Sequence, residues 1–420
     1  MGADLSRIRF DHLADYASVV LAQGRLVLDS DWNEQAAIVD RRLRAQAVDL
    51  GGPAGGGGSA LVSRQTPNAF KVTHAGGMLS IGRGRVYVDG ILVENHGVGA
   101  AAFDPALAET YRADGIAYDA QPHLPEPAEL PTTGTHLVYL DVWQREVTAL
   151  EDADLVEPAI GVDTSARTQH VWQVKVLRDV PDGTTCTTPD DRIPAWAALT
   201  APSSGRLSTG VVEVDEPDDL CHLPPEGGYR GPENQFYRVE IHDGGDRPTF
   251  KWSRENASVA STVAEVVSAT ELRLASLGKD SVLRFSTGDW VEVIDDHREL
   301  AGEPGDLRRI EVDEGAGTIT LDTAISDDLV AAGDLSLARH LRVRRWDQKG
   351  TSAVLPVPAD GSAVVLEHGI TVTFSRAKQG GPMRTGEFWC FAARVAHADV
   401  EQLVNAPPRG IHHHLSLIHI

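Results

Sequence analysis

After residue 60 the apolar residues of this chain change period, recurring at every second position in short runs closed by turn residues. That change constrains the fold most, because side chains alternate across a strand but return only after about 3.6 residues on a helix. Val86-Tyr87-Val88 and Ile91-Leu92-Val93 flank Asp89-Gly90, the pattern of a two-residue hairpin turn. Leu137 to Val142 reads as a buried strand, and Trp172, Val174 and Val176 alternate with Gln173 and Lys175. Tyr237, Val239 and Ile241 alternate with Arg238 and Glu240. Ile310 and Val312 are spaced to pair with Ile319 and Leu321, and Val364-Val365-Leu366 to pair with Ile370, Val372 and Phe374 beyond Gly369. The 40 glycines and 23 prolines supply the turns such a chain needs. No segment repeats at a fixed period, which argues against a solenoid. The expectation is a mainly β chain of several small sandwich or barrel modules behind an N-terminal helical arm.

That arm carries the one helical pattern. Trp32, Ala36, Val39, Leu43, Ala47 and Leu50 recur at spacings of four and three and share one face. Asp31 and Glu34 form a candidate capping pair, while Asp40, Arg41, Arg42 and Arg44 fall mostly on the other face. The helix should stop at Gly51-Gly52-Pro53, before a flexible glycine-rich linker over residues 55–59.

At 420 residues the chain exceeds one ordinary core. Its punctuation divides it into the arm and linker (1–60), a β domain (61–200), a β segment (201–280), a small barrel-like module (281–345) and a C-terminal β region (346–414). The 61 acidic residues against 38 lysines and arginines give a formal charge of −23, which repels phosphate backbones and anionic lipid surfaces. Nucleic acid and membrane are therefore not expected partners. Met1 to Phe10 lacks the apolar stretch of a signal peptide, so synthesis and folding in the cytoplasm are expected. Cys186, Cys221 and Cys390 are odd in number and far apart, so buried thiols are expected rather than a disulfide or zinc framework.

Catalytic patterns fail on inspection. Ser208 in Gly205-Arg206-Leu207-Ser208-Thr209-Gly210 lacks the glycine two residues before it that a nucleophile elbow requires. The glycine-rich run over residues 51–59 has no lysine to reach a phosphate. Asp29-Ser30-Asp31-Trp32-Asn33 begins like a calcium loop, but Glu34 stands where that loop needs glycine. His412, His413 and His414 are adjacent, so their side chains should diverge rather than share a metal. Eight tryptophans and many carboxylates keep a sugar groove or a two-carboxylate glycosidase open as alternatives. No catalytic residue, metal or cofactor is expected.

Five long stretches are more specific. They are residues 20–35 (VLAQGRLVLDSDWNEQ), 139–147 (YLDVWQREV), 228–242 (GYRGPENQFYRVEIH), 250–256 (FKWSREN) and 407–414 (PPRGIHHH). Together they resemble a family of uncharacterised-domain proteins associated with phage tails and with bacterial extracellular contractile injection systems. The resemblance implies a non-enzymatic tail or baseplate component, partnered with other subunits in a symmetric assembly and released within an extracellular particle. A receptor- or glycan-binding fibre module is the alternative, a cell-wall glycosidase the second. Trp32, Ala36, Val39 and Leu43 are then candidate partner-docking residues, and Tyr229, Asn234, Arg238 and Glu240 a candidate binding surface. The final Leu415-Ser416-Leu417-Ile418-His419-Ile420 is what CTG TCT CTT ATA CAC ATC encodes, an end sequence used in transposon-based library preparation. The expectation is that residues 415–420 derive from that adapter and that the natural chain continues past His414 as a strand.

Overall fold

A computed structural model describes residues 2–52, 60–97, 115–185, 188–212, 228–330 and 338–417. It is mainly β, with a closed six-stranded barrel and an N-terminal helix. The chain folds into two compact units interleaved in sequence. The glycine-rich linker, Cys186, Cys221 and Ile418 to Ile420 lie outside the described residues.

One unit comprises Arg9–Arg145, Thr168–Ala201 and His412–Ile420. The Asp89-Gly90 hairpin forms as expected: Gly84–Val88 pairs with Ile91–Asn95, and both turn residues have positive φ (47° and 78°). Gly90 is also needed for space, since a Cβ there would lie 2.4 Å from the carbonyl oxygen of Arg44 on the N-terminal helix. The inward residues of this hairpin, Val86, Val88, Ile91 and Val93, share a core with Phe70, Leu140, Val142, Trp172 and Val174. A second sheet runs Arg167–Leu177, Leu137–Val147, His414–Leu417. Leu415 in its edge strand packs beside Tyr139, Ile193 and Trp196. Three of the residues read as adapter-encoded, Leu415 to Leu417, thus occupy a strand position, and the alternation of Leu415 and Leu417 about Ser416 suits an edge strand whatever its origin.

The other unit comprises Met1–Ile8, Glu146–Arg167 and Pro202–Ile411. A five-stranded sheet, ordered Leu355–Pro356, Thr249–Ser253, Gln235–Ile241, Phe388–Arg394, Asp399–Val400, faces a three-stranded sheet of Gly205–Val211, Ile370–Arg376 and Val364–Val365. Tyr237, Phe250, Trp252 and Phe391 from the first meet Leu207, Val372 and Phe374 from the second in one apolar core. The strands of the segments read separately as 201–280 (up to Ser253) and 346–414 (from Leu355 to Val400) therefore form one sandwich, joined by pairings such as Tyr237 with Phe391 and Leu207 with Phe374.

The barrel interrupts that sandwich in sequence. Its strands close in the order Ala260–Ser268, Glu271–Leu274, Thr318–Leu321, Asp306–Asp313, Trp290–Ile294, Arg342–Trp346. Ile310 pairs with Leu321 and Val312 with Ile319, the register expected from their spacing. The first two strands precede residue 281, so the module begins about twenty residues earlier than its turn signals suggest. Val263, Leu272, Phe285, Val293, Ile319 and Val343 are among the residues that fill its interior.

The N-terminal helix spans Asp29–Gly51. Its cap differs from the expected pair: the Asp31 carboxylate accepts the Leu28 N–H at 3.3 Å, so Asp31 closes the first turn from within and Glu34 turns inward. The buried side carries Ser30, Glu34 and Ile38, whereas Trp32, Ala36, Val39, Leu43 and Leu50 are exposed. The apolar face thus lies outside the core of its own chain. Ile38→Ala should cost about 2–4 kcal/mol as a buried truncation. Trp32→Ala should stay within about 0.5 kcal/mol of the parent. Urea unfolding of the two variants checks both, and equal losses would place Trp32 in the core.

Candidate functional site

Residues 9–28 lead into the helix as irregular chain with a short helical turn at His12–Ala14 and a second turn at Gln23-Gly24. Polar contacts fasten this arm. The Arg9 guanidinium reaches Asp31 at 3.0 Å and Glu34 at 3.5 Å, and the Val19 N–H donates to Gln35 Oε1 at 2.7 Å. Between arm and helix lies a pocket of about 390 Å³, lined among others by Arg9, Tyr16, Val19, Leu21, Leu26 and Asp31. The arm's apolar side chains contribute little to any core. Val20 is 87% exposed and Leu26 90%, and on the helix Trp32 is 73% exposed and Leu43 61%. Among the described residues, more than half of the exposed large apolar side chains fall between Leu13 and Leu50. Such a concentration leaves apolar area in water, and covering one such side chain would be worth about 1.5–3 kcal/mol. The four docking candidates, Trp32, Ala36, Val39 and Leu43, lie together along it. Within the expected N-terminal arm, sequence reading does not single out residues 9–28 as an exposed apolar segment, although Val19-Val20-Leu21 and Leu26-Val27-Leu28 are apolar runs about Gly24 with neither period.

The second candidate set is not an open surface. Tyr229 is buried and its hydroxyl donates to the Glu233 carbonyl at 2.8 Å. Exposed Asn234 uses its side-chain oxygen to accept the Val395 N–H at 3.1 Å. Arg238 and Glu240 are both buried and bonded to each other at 2.7 Å, as their shared strand face allows. The reason is that Lys251, opposite Glu240 on the next strand of the sheet, and Glu292 and Arg344 from the barrel close that face.

These residues form a buried ionic network. Lys251 Nζ lies 2.5 Å from Glu292 and 3.2 Å from Glu240, and Arg344 donates to Glu292 at 2.8 Å. The Trp346 indole N–H donates to the second Glu292 oxygen at 3.0 Å, while its ring faces the Lys251 ammonium. Burial works to raise the Glu240 carboxyl, but Arg238, Lys251 and Arg344 outweigh it and hold it at about 2. The same opposition, won by Lys251 and Arg344, keeps Glu292 well below the usual carboxylate range. Burial and then the Lys251 charge push the His242 imidazole down to about 4, leaving it neutral. Two carboxylates do stand near each other here, but both are ionised, sealed and saturated by cations, so neither is set up as a proton donor to a substrate.

The C-terminal histidines diverge as expected. His413 Nδ1 is 2.8 Å from Asp141, which also receives Lys175 at 2.8 Å. His414 Nδ1 is 2.8 Å from Asp89 in the hairpin turn, and Arg44 lies 3.4 Å from its other nitrogen. Both act as struts tying the last strand to its neighbours. Among the described residues no group of three or more histidines, cysteines and carboxylates is arranged to hold a metal. Cys390 is buried, and burial pushes its thiol up to about 12.

A family model described as a family of unknown function, DUF6519, matches residues 1–193 and again residues 182–410. The chain belongs to this family. No curated protein and no solved structure matches it. The DUF6519 description assigns no activity or partner, and its two matches together take in the arm, the helix, the barrel and the sandwich.

Lys251→Met should destabilise by about 3–5 kcal/mol, because it strands two buried carboxylates. Adding Glu292→Met should recover part of that loss, and a double-mutant cycle by denaturant unfolding measures the coupling. A second expectation concerns Glu255, whose carboxyl is raised to about 7 by burial and then by the Asp347 charge. The unfolded chain releases this proton near the ordinary value of 4.5, the folded chain only near 7, so the group weakens folding progressively across that window. Glu255→Gln should therefore gain stability relative to the parent at pH 8 but not at pH 4, which unfolding at both values would show.

Proposed function

We propose that this chain is a non-enzymatic structural subunit of a phage-tail-like contractile particle, associated with its tail or baseplate. The observation that carries the reading is the apolar arm and helix face, which hold more than half of the exposed large apolar side chains among the described residues. A soluble catalyst gains nothing from that exposure; a subunit that meets neighbours does. The particle itself is supplied by the resemblance of the five stretches quoted above.

Two features weigh against the alternatives. Seven of the eight tryptophans are buried, Trp32 on the helix being the exception, so the rings are spent on cores rather than on a sugar platform. The two carboxylates of the buried ionic network, Glu240 and Glu292, are paired with Arg238, Lys251 and Arg344 and are sealed from solvent. Among the described residues no helix is long and apolar enough to cross a membrane.

The test is mass spectrometry of purified contractile particles from the source organism, beside the soluble fraction. The chain should sediment with intact particles, and deleting its gene should alter their assembly or attachment. Recovery only in the soluble fraction, with polysaccharide cleavage abolished by a single carboxylate substitution, would overturn the proposal.

A further inference from the structure

We infer that the exposed face of the Asp29–Gly51 helix pairs with the same face of a second copy of this chain, the two helices running antiparallel. This deepens the assembly reading and rests on it only in taking the face to be a contact surface.

Trp32, Ala36, Val39, Leu43 and Leu50 are separated by four, three, four and seven residues, the a/d seam of a helix that pairs with another helix. The seam runs about 27 Å along the helix. It is also unoccupied, since Trp32, Ala36, Val39, Leu43 and Leu50 are all exposed while Ser30, Glu34 and Ile38 face the chain's own body. A seam this narrow suits a single partner helix better than a broad sheet or groove.

Charge selects the partner and its direction. The first turn carries Asp29 and Asp31 and no base, with Glu34 behind them turned inward; residues 41–44 carry Arg41, Arg42 and Arg44. A parallel copy would set acid against acid and base against base. An antiparallel copy sets each basic stretch beside an acidic one and opposes the two helix dipoles. Arg9 already pairs with Asp31 and Glu34 from the arm, so the second copy's arginines meet an acidic end that is partly neutralised, and the charge pattern sets direction more than affinity.

One register satisfies the seam. With Trp32 opposite Leu43 of the second copy, Ala36 falls opposite Val39, and each layer sets a larger side chain against a smaller one. Leu50 then reaches past the start of the other helix, to the level of Leu26, Val27 and Leu28, which are themselves apolar and exposed. The arrangement is self-complementary about a two-fold axis, so every favourable layer occurs twice.

Sedimentation velocity of the purified full chain over a concentration series is the test. A reversible dimer is expected, weakened at least about tenfold by Leu43→Glu, with thermal unfolding of the variant unchanged because the site is exposed. Direction is read by mild oxidation. Trp32→Cys protein mixed with Leu43→Cys protein should form a mixed cross-linked dimer, and Trp32→Cys alone should give no more dimer than the parent. A monomer at every concentration, a dimer indifferent to Leu43→Glu, or a cross-link between two copies of Trp32→Cys would each overturn the inference. These readings use the isolated chain, so they stand apart from whether it sediments with particles.

Discussion

The ion pairs that join Lys251 and Arg344 to Glu292 and Glu240 set the terms for the larger unit. Each ion gives up several kcal/mol of hydration on burial, recovered only while its partners stay within hydrogen-bond reach. The strand Gln235–Ile241 accordingly has two buried faces of opposite character. Tyr237, Val239 and Ile241 enter the aromatic core; Arg238 and Glu240 enter the ionic layer beneath the barrel. Slipping this strand by one residue would drive two charges among Phe391 and Trp252 and leave Lys251 alone. Trp290–Ile294 is constrained likewise, with Val291 and Val293 in the barrel interior and Glu292 pointing out of it to Lys251. What the network contributes is therefore less net stability than a fixed seating of barrel on sheet, since apolar residues could have joined the two but in several registers.

How much of this was legible follows from the range of each interaction. The Asp89-Gly90 turn and the Ile310–Leu321 pairing depend on neighbours in sequence, and both could be read from spacing and turn chemistry. Closure of the barrel could not, because Ala260–Ser268 pairs with Arg342–Trp346, some eighty residues away, and no local signal announces that partner. The same limit explains Arg238 and Glu240. Period two shows that they share a face, but whether a second layer covers that face depends on Lys251, Glu292 and Arg344, on three other strands. A trace was available all the same: TFKWS, WVEVI and RVRRW each set charge inside a short apolar or aromatic strand. Charges so placed are expensive unless they meet.

The helix failed a different rule. An apolar stripe ordinarily faces the core, and Trp32, Val39 and Leu43 would be assigned there on period alone. The inward side instead holds Ser30, Glu34 and Ile38, with Glu34 neutralised by Arg9 and the hairpin turn at Gly90 pressed against the Arg44 backbone. Local pattern and tertiary burial disagree here while agreeing along most of the β strands. Such disagreement concentrates where a sequence serves something other than its own folding.

Net charge then bears on how that surface is used. Two copies each carrying −23 repel at distances comparable with a Debye length, which keeps a chain with exposed leucines and a tryptophan in solution. Close approach is least opposed where the local charge departs from the average. Arg41, Arg42 and Arg44 gather such a departure onto the helix that bears the apolar seam, and Asp29, Asp31 and Glu34 stand about two to four turns away along it. The acidic body and the mixed-charge helix thus act in sequence: the first suppresses indiscriminate contact through the arm, the second leaves one orientation in which apolar burial is not offset by repulsion. Because that preference comes from a charge gradient along one rigid helix and not from a single ion pair, it survives the loss of any one arginine and depends on the helix keeping its length.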